Sequence, residues 1–354
     1  MPELVIDADA HVAEDVDDLR LRFDDDRGGL APMRVAGLDG TALQLEGRLV
    51  RSRFAPPAPD GALPAGAFDP FARVAHLDRE GIDAAVLFPT IGLLAPLYRD
   101  ARAAAAFTRA VNDWLIDFCA AAPSRLCPVA VLPQQDPRRA AAELERALDA
   151  GAIAGILRPN PVAGRTPADA SFDVLWSCAA ALDAAVVLHE GTFDAGIPTL
   201  GSQRAESYAE LHLMAHPFEL QATLATMALR GVFERHPRLR LGCFEAGFGW
   251  APYLSHRLSA HARAYQGGSR HPPIESQVWV TAEPDEPLLR RVDDIGWSSR
   301  VCFATDYPHR DAAPPGVVAA VRSDLSDGPN TVDRYLGTNA IGLFGDRLSG
   351  RLTR

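Results

Sequence analysis

Short apolar, β-branched runs alternate with longer stretches of helical periodicity along most of the chain. Val5–His11, Ala84–Thr90, Leu126–Leu132, Ile153–Pro159, Ala185–His189, Leu239–Glu245, Val278–Ala282 and Val301–Asp306 read as strands. Helices are expected between them over Phe71–Gly81, Asp100–Ala122, Pro137–Ala150, Phe172–Leu182, Pro217–Arg235, Trp250–Tyr265 and Glu286–Asp294. Val317–Leu325 and Val332–Phe344 should close the chain with two more. The Pro137 helix is the best punctuated, with Asp136 as N-cap, Pro137 in the first turn and Gly151 just past its end. Sequential βα alternation implies a parallel sheet with helical crossovers. Eight such units favour closure into a (β/α)8 TIM barrel, a single domain over residues 1–354. No GxGxxG follows the first strand, which speaks against a dinucleotide-binding fold.

Two stretches depart from the repeat. Residues 15–70 are rich in Asp, Arg, Gly and Pro, with a Pro/Ala/Gly run at Ala55–Gly66, and residues 191–215 form a second excursion. Both follow strands, so both belong on the face where barrel enzymes carry their sites. Neither can bury a core of its own, and they read as lids and pocket walls.

Composition narrows the partners. The net charge of −11 argues against nucleic acid, whose phosphates demand a basic footprint. No apolar stretch is long and uncharged enough to span a bilayer, and the N-terminus MPELVIDADAH shows no basic segment followed by an apolar one, so no export signal is expected. The five cysteines are odd in number and none are at CxxC spacing, which fits a reducing cytoplasm better than a disulfide framework.

The candidate chemistry sits where strands end. The first strand closes in Asp7-Ala8-Asp9-Ala10-His11 with Glu14 three residues on, the fifth in His189-Glu190, the sixth in Glu245, and the eighth in Asp306-Tyr307-Pro308-His309. Alternation puts Asp9 and His11 on one face of their strand. His216 and Glu219 form an i, i+3 pair on a helix. Apolar strands finishing in Asp, His and Glu on one rim are costly unless the charges meet a cation. Arg158 ends the fourth strand, either as a contact for an anionic substrate or in a salt bridge with a rim carboxylate. His212 is a candidate substrate contact, and Trp250 a pocket wall or packing anchor.

The segments DADAHVAE, NDWLIDFC, LHEG, GVFERHPRLRLGCFEAGFGW, EPDE, TDYPH and LGTNAIGLFG resemble the amidohydrolase-like barrels of the aminocarboxymuconate-semialdehyde decarboxylase group. The likeness runs from Val5 to about Phe344. It implies metal ligands at Asp9, His11, His189 and Asp306. Asp9 stands where founding members commonly carry a His, and Glu245 stands where they carry a His that acts as an acid/base. HPFE and FEAGFGW are similar to a subgroup that includes a non-haem di-iron monooxygenase of platensimycin biosynthesis. That likeness implies two divalent ions, iron ahead of zinc or manganese, bound by Asp9, His11, His189 and Asp306 on one side and by Glu14, His216, Glu245 and Glu219 on the other. The first expectation is therefore a monooxygenase hydroxylating a small, possibly CoA-linked molecule with electrons from an external donor. The alternative is a hydrolase or non-oxidative decarboxylase, with Asp306 as ligand and general base and Glu245 or His309 moving a proton. A homodimer is implied by the resemblance alone.

Overall fold

The computed structural model describes residues 4–23, 30–35, 43–51, 63–191, 197–265, 274–325 and 329–352. Of the two insertions, residues 24–29, 36–42, 52–62 and 192–196 lie outside that set, including most of the Pro/Ala/Gly run.

Eight parallel strands follow one another around the sheet in chain order. They are β1 (Ile6–Val12), β2 (Ala84–Pro89), β3 (Leu126–Val131), β4 (Ala154–Leu157), β5 (Ala185–His189), β6 (Arg240–Phe244), β7 (Val278–Ala282) and β8 (Val301–Phe303). All but one of their residues are buried, as expected when barrel strands are covered on both faces. No ladder joins β8 to β1. The seam is closed at its C-terminal end instead, where the His11 amide donates to the Tyr307 carbonyl (2.6 Å) and the Asp306 amide to the Asp9 carbonyl (3.0 Å). Asp7 reinforces it, accepting from the Thr305 amide at 2.9 Å and the Thr305 hydroxyl at 2.5 Å. The result is a (β/α)8 TIM barrel, as the strand count implies.

The crossover helices are α1 (Pro70–Glu80), α2 (Ala101–Cys119), α3 (Pro137–Ala150), α4 (Asp173–Ala181), α5 (Tyr208–Leu229) and α6 (Trp250–Tyr265), with α7 (Val317–Asp324) after β8. Asp69, Asp100 and Asp136 cap the first three, each accepting from amides of the first turn. Two expectations change here. The segment after β7 makes only a 3₁₀ helix, Pro287–Arg291. Helix α5 begins nine residues before Pro217, so the second insertion ends at Ser207 rather than at 215. Pro217 suggested a helix start, but Ser207 and Glu210 form the capping box that starts it, and Pro217 lies inside. Part of the first insertion forms a small antiparallel sheet of Met33–Arg34, Leu43–Leu45 and Arg48–Val50. No described helix is long and apolar enough to cross a membrane.

Candidate metal centre

The C-terminal ends of β1, β5, β6 and β8 converge on one cluster. A bulge in β1 between Asp7 and Ala10 breaks the register and separates the tasks of neighbouring carboxylates: Asp7 holds Thr305, while Asp9 joins His11 in the cluster. Arg73, fully buried on α1, donates to the His11 carbonyl and, at 2.8 Å, to the Gly66 carbonyl. Phe88 floors the cluster, 5.9 Å from the His11 ring and 5.2 Å from the His189 ring.

Glu245 and Asp306 reach the centre from strained backbone. Their φ angles are +63° and +55°, in the left-handed region that side chains other than glycine rarely adopt. Such positions cost roughly 1–3 kcal/mol each and persist where the surroundings enforce them. The turn after Glu245 is pinned by Glu286, whose carboxylate accepts from the Phe248, Gly249 and Glu283 amides. Gly247, at φ +64°, is needed there because a Cβ would meet Glu286 Oε1 at 2.8 Å.

Within the cluster, His11 Nε2 lies 3.2 Å from His189 Nε2, 3.4 Å from Glu245 Oε2, 3.5 Å from Asp306 Oδ1 and 3.7 Å from Asp9 Oδ1. His189 Nε2 lies 2.8 Å from Glu245 Oε2 and 3.5 Å from Asp9 Oδ1. The other nitrogen of His189 is 2.6 Å from the Glu190 carbonyl, which can only accept. Nδ1 therefore carries a proton, and in the neutral ring a lone pair on Nε2 faces two carboxylates. His309 stacks on His11 at 4.1 Å and sits 2.8 Å from Asp306 Oδ1. Asp9 Oδ1, Glu245 Oε2 and Asp306 Oδ1 are buried and accept no well-formed hydrogen bond from the described residues.

This crowding displaces every titration. Burial raises Asp9, and burial with repulsion from Glu245 raises Asp306 well above the ordinary range. Glu245 is held well below its ordinary range despite burial, by His189 and His11. His11 falls to about 3 through burial and the nearby His309. His309 rises to about 9 despite burial, because of Asp306. His189 also rises despite burial, through Glu245 and Asp9. Three carboxylates here demand positive charge, and only protonated imidazoles or a cation can supply it. The donor set fits a divalent ion. Asp9, His11 and His189 form one group with ligand atoms within 4.8 Å of one another, and His11, Glu245, Asp306 and His309 form another.

A cavity of about 330 Å³ opens from this cluster. Asp9, Glu245 and Asp306 line its inner end, and the turns after β7 and β8 with the face of α7 form its walls.

Several expected residues do not join the centre. Glu14 is consumed as an acceptor for the amides of Thr90, Ile91 and Gly92, at 2.8–3.0 Å. Glu219, although it lies within one turn of His216 on α5, accepts from the Leu200 amide, while His216 meets Glu245 at 3.8 Å. Arg158 takes the salt-bridge role, pairing with buried Glu190 and donating to Asn160 and the Gly191 carbonyl. Trp250 is a packing anchor whose indole N–H donates to the Gly247 carbonyl. His212 does line the cavity, 3.5 Å from Asp311. Asp311 was missed; the only signal was its place two residues beyond TDYPH.

A family model described as Amidohydrolase matches residues 6–345. A 2-amino-3-carboxymuconate-6-semialdehyde decarboxylase of Dictyostelium discoideum is 25% identical over 287 residues, covering 78% of this chain and 77% of its own. Among solved structures, an amidohydrolase from Mycobacterium avium subsp. paratuberculosis K-10 superposes with a TM-score of 0.81 at 22% identity, covering 98% of this chain and all of its own. A dihydroxybenzoic acid decarboxylase from Polaromonas sp. JS666, with bound manganese and the inhibitor 2-nitroresorcinol, gives 0.69 at 20% identity, covering 99% of each chain. The oxidoreductase expectation is corrected by these matches. The relatives found by sequence are decarboxylases, which are lyases, and none is an oxygenase.

Proposed function

This chain belongs to the Amidohydrolase family, whose model spans residues 6–345, and from that premise we propose that it is a metal-dependent non-oxidative decarboxylase of a small carboxylic acid. The observation that carries the reading is the set of buried carboxylate oxygens of Asp9, Glu245 and Asp306, faced only by imidazole nitrogens, at the inner end of a cavity. The cavity's 330 Å³ lies at the small end of ligand pockets, which run from about 300 to 1,000 Å³. It suits a single-ring or short conjugated acid better than a CoA conjugate.

Asp9, His11, His189 and Asp306 would hold the ion, which when bound supplies charge to neutralise the substrate carboxylate and polarise its neighbour. No electron is transferred, so the reaction calls for no redox-active ion. Decarboxylation exchanges a C–C bond for a C–H bond, so a proton must reach carbon. Asp306 lines the cavity and His309 hydrogen-bonds it from the solvent side, with 28% of its side chain exposed. The pair is placed to carry that proton inward. Ala312, Ala313, Pro314 and Pro315 give that cavity an apolar side for the substrate's carbon skeleton.

The test is direct. Chelator-stripped protein, reloaded separately with Mn²⁺, Zn²⁺ or Fe²⁺, is incubated with a panel of hydroxybenzoates and conjugated dienoic acids. The expected result is ion-dependent CO₂ release, with one deuterium incorporated at the vacated carbon in D₂O. Hydrolysis of esters, lactones or amides with no CO₂ from any acid would overturn the reading.

A further inference from the structure

We infer that Arg73 is a positioning residue for the metal centre: from α1 it fastens the C-terminal ends of β1 and β8 to each other, and so sets the spacing of the ligands His11 and Asp306. The inference rests on the metal centre proposed above and not on its reaction. Arg73 is fully buried. Its guanidinium donates to the His11 carbonyl and, through Nε at 2.8 Å, to the Gly66 carbonyl. The same group lies over the Tyr307 ring, 4.4 Å from its centroid. It thus touches the backbone of one ligand and the side chain next to another, while among the described residues it neither lines the cavity nor joins a ligand group.

These contacts fall on the seam that no ladder closes. The His11 amide crosses it to the Tyr307 carbonyl at 2.6 Å. Both backbone polar groups of His11 are therefore held there, the N–H by Tyr307 and the C=O by the guanidinium that covers the Tyr307 ring. His76, one turn further along α1, stacks on the same ring at 3.9 Å. The turn that Arg73 holds through Gly66 also ties down β1, since the Ala67 carbonyl accepts from the Ala13 amide at 3.0 Å. Only glycine fits at position 66, where a Cβ would meet the Tyr307 hydroxyl at 2.9 Å and the Arg73 backbone at 3.2 Å.

Two features distinguish positioning from packing. The donors of Arg73 go to carbonyls and an aromatic face, with no ion pair among the described residues. A buried guanidinium without a bonded carboxylate is costly, and an apolar side chain of similar volume would fill the space without that cost. Asp306, at φ +55°, also stands between two tethered neighbours: Asp7 holds Thr305, and Arg73 with His76 holds the Tyr307 ring. Strained backbone persists where its surroundings over-determine it, and α1 supplies one of the two tethers.

The sign of the change in metal affinity tests this, because charge and position predict opposite results. If charge were all that Arg73 contributed, removing it would tighten the binding of a cation. Stripped protein is titrated with Mn²⁺ and the free ion followed by electron paramagnetic resonance, at a temperature where circular dichroism shows each variant folded. Arg73→Met should weaken binding at least about tenfold, the scale of losing an outer partner of a metal ligand. Arg73→Lys keeps the charge but cannot reach both carbonyls and cover the ring, so it should recover only part of the affinity. Arg158→Met, which removes an arginine buried outside the cluster, should lose stability and keep wild-type affinity in its folded fraction. Wild-type or tighter binding by Arg73→Met, or an equal loss in Arg158→Met, would overturn the inference. Should Arg73→Met not fold, Tyr307→Leu decides in its place: a clear loss of affinity supports the clamp, and wild-type affinity overturns it. A wild type that binds no Mn²⁺ would overturn the metal centre itself.

Discussion

Two buried polar clusters share the barrel rim, one spanning β1, β5, β6 and β8 and the other lying over β4 and the turn after β5. In the second, each main member has a partner in the protein, although Arg158 Nη1 and Glu190 Oε2 take part in no further hydrogen bond among the described residues. Arg158 pairs with Glu190 and donates to Asn160, and Gln134 donates to the carbonyls of Arg158 and Asn160. Asn160 reaches the Pro198 carbonyl, and Glu219 takes the Leu200 amide. Positive and negative charge are matched within the protein itself. In the first, carboxylate oxygens and imidazole lone pairs face one another, two residues sit on strained backbone, and no Arg or Lys stands among the grouped ligands. Composition on the rim does not separate the two. What separates them is whether the chain completes its own charge balance, and only the incomplete cluster calls for something from outside.

The largest expected effect breaks the incomplete cluster. His189→Ala removes a ligand nitrogen facing Asp9 and Glu245. It should abolish binding of the ion and lower kcat/KM for CO₂ release by about 10³-fold or more, the scale of the several kcal/mol a metal contributes to transition-state charge. In the metal-free state it also leaves the Asp9 and Glu245 carboxylates buried without that imidazole, so the thermal midpoint should fall below that of the metal-free wild type, and binding is compared at a temperature where both proteins are folded. A variant that keeps its ion would show that the cluster balances itself, as its neighbour does.

Arg158→Met tests the other side. The fully buried guanidinium neutralises Glu190, and removing it strands a buried carboxylate. The expected cost is about 3–5 kcal/mol of unfolding free energy, measured by urea denaturation of metal-free protein. The folded fraction should bind the same number of ions per chain as wild type. A loss of metal without a loss of stability would merge the two clusters into one functional unit.

These contrasts explain what was legible in the sequence. Strand order and helix starts were, because apolar runs and Asp, Pro and Gly punctuation act locally: the expected bounds of the Ala185–His189 strand and the Pro137–Ala150 helix match the structure. The convergence of Asp9, His11, His189, Glu245 and Asp306 was legible too, since strand ends of a parallel barrel meet on one rim. Partner choice was not. Glu14 and Glu219 carry the same carboxylate as Asp9, and nothing local says that backbone amides from the turn after β2, or from Leu200, will reach them first. His212 does line the cavity, but its nearness to His216 was hidden for a related reason. Reading Pro217 as a helix start hid the earlier turns of α5, and with them the face His212 shares with His216.

The smallest effect concerns Glu219, at the edge of the self-balanced cluster. Burial, with repulsion from Glu190, raises its carboxyl to about 7, against the opposing pull of the Leu200 amide and Arg158. The unfolded chain releases this proton near 4.5, whereas the folded protein holds it to about 7. Between those values the folded state binds the extra proton, so stability falls as pH rises and levels off above the folded value. Glu219→Gln keeps an acceptor for the Leu200 amide and removes the titration. The variant should lose this part of the decline, ending about 1–2 °C closer to its acid-side midpoint than wild type at pH 7.5. Comparing wild type with variant cancels the titrations of the neighbouring histidines, which both proteins share. A difference that stays flat from pH 4.5 to 7.5 would mean that Glu219 is ionised in the fold throughout. The cluster would then carry an unbalanced charge of its own, and the contrast with the metal centre would narrow to the orientation of its ligands.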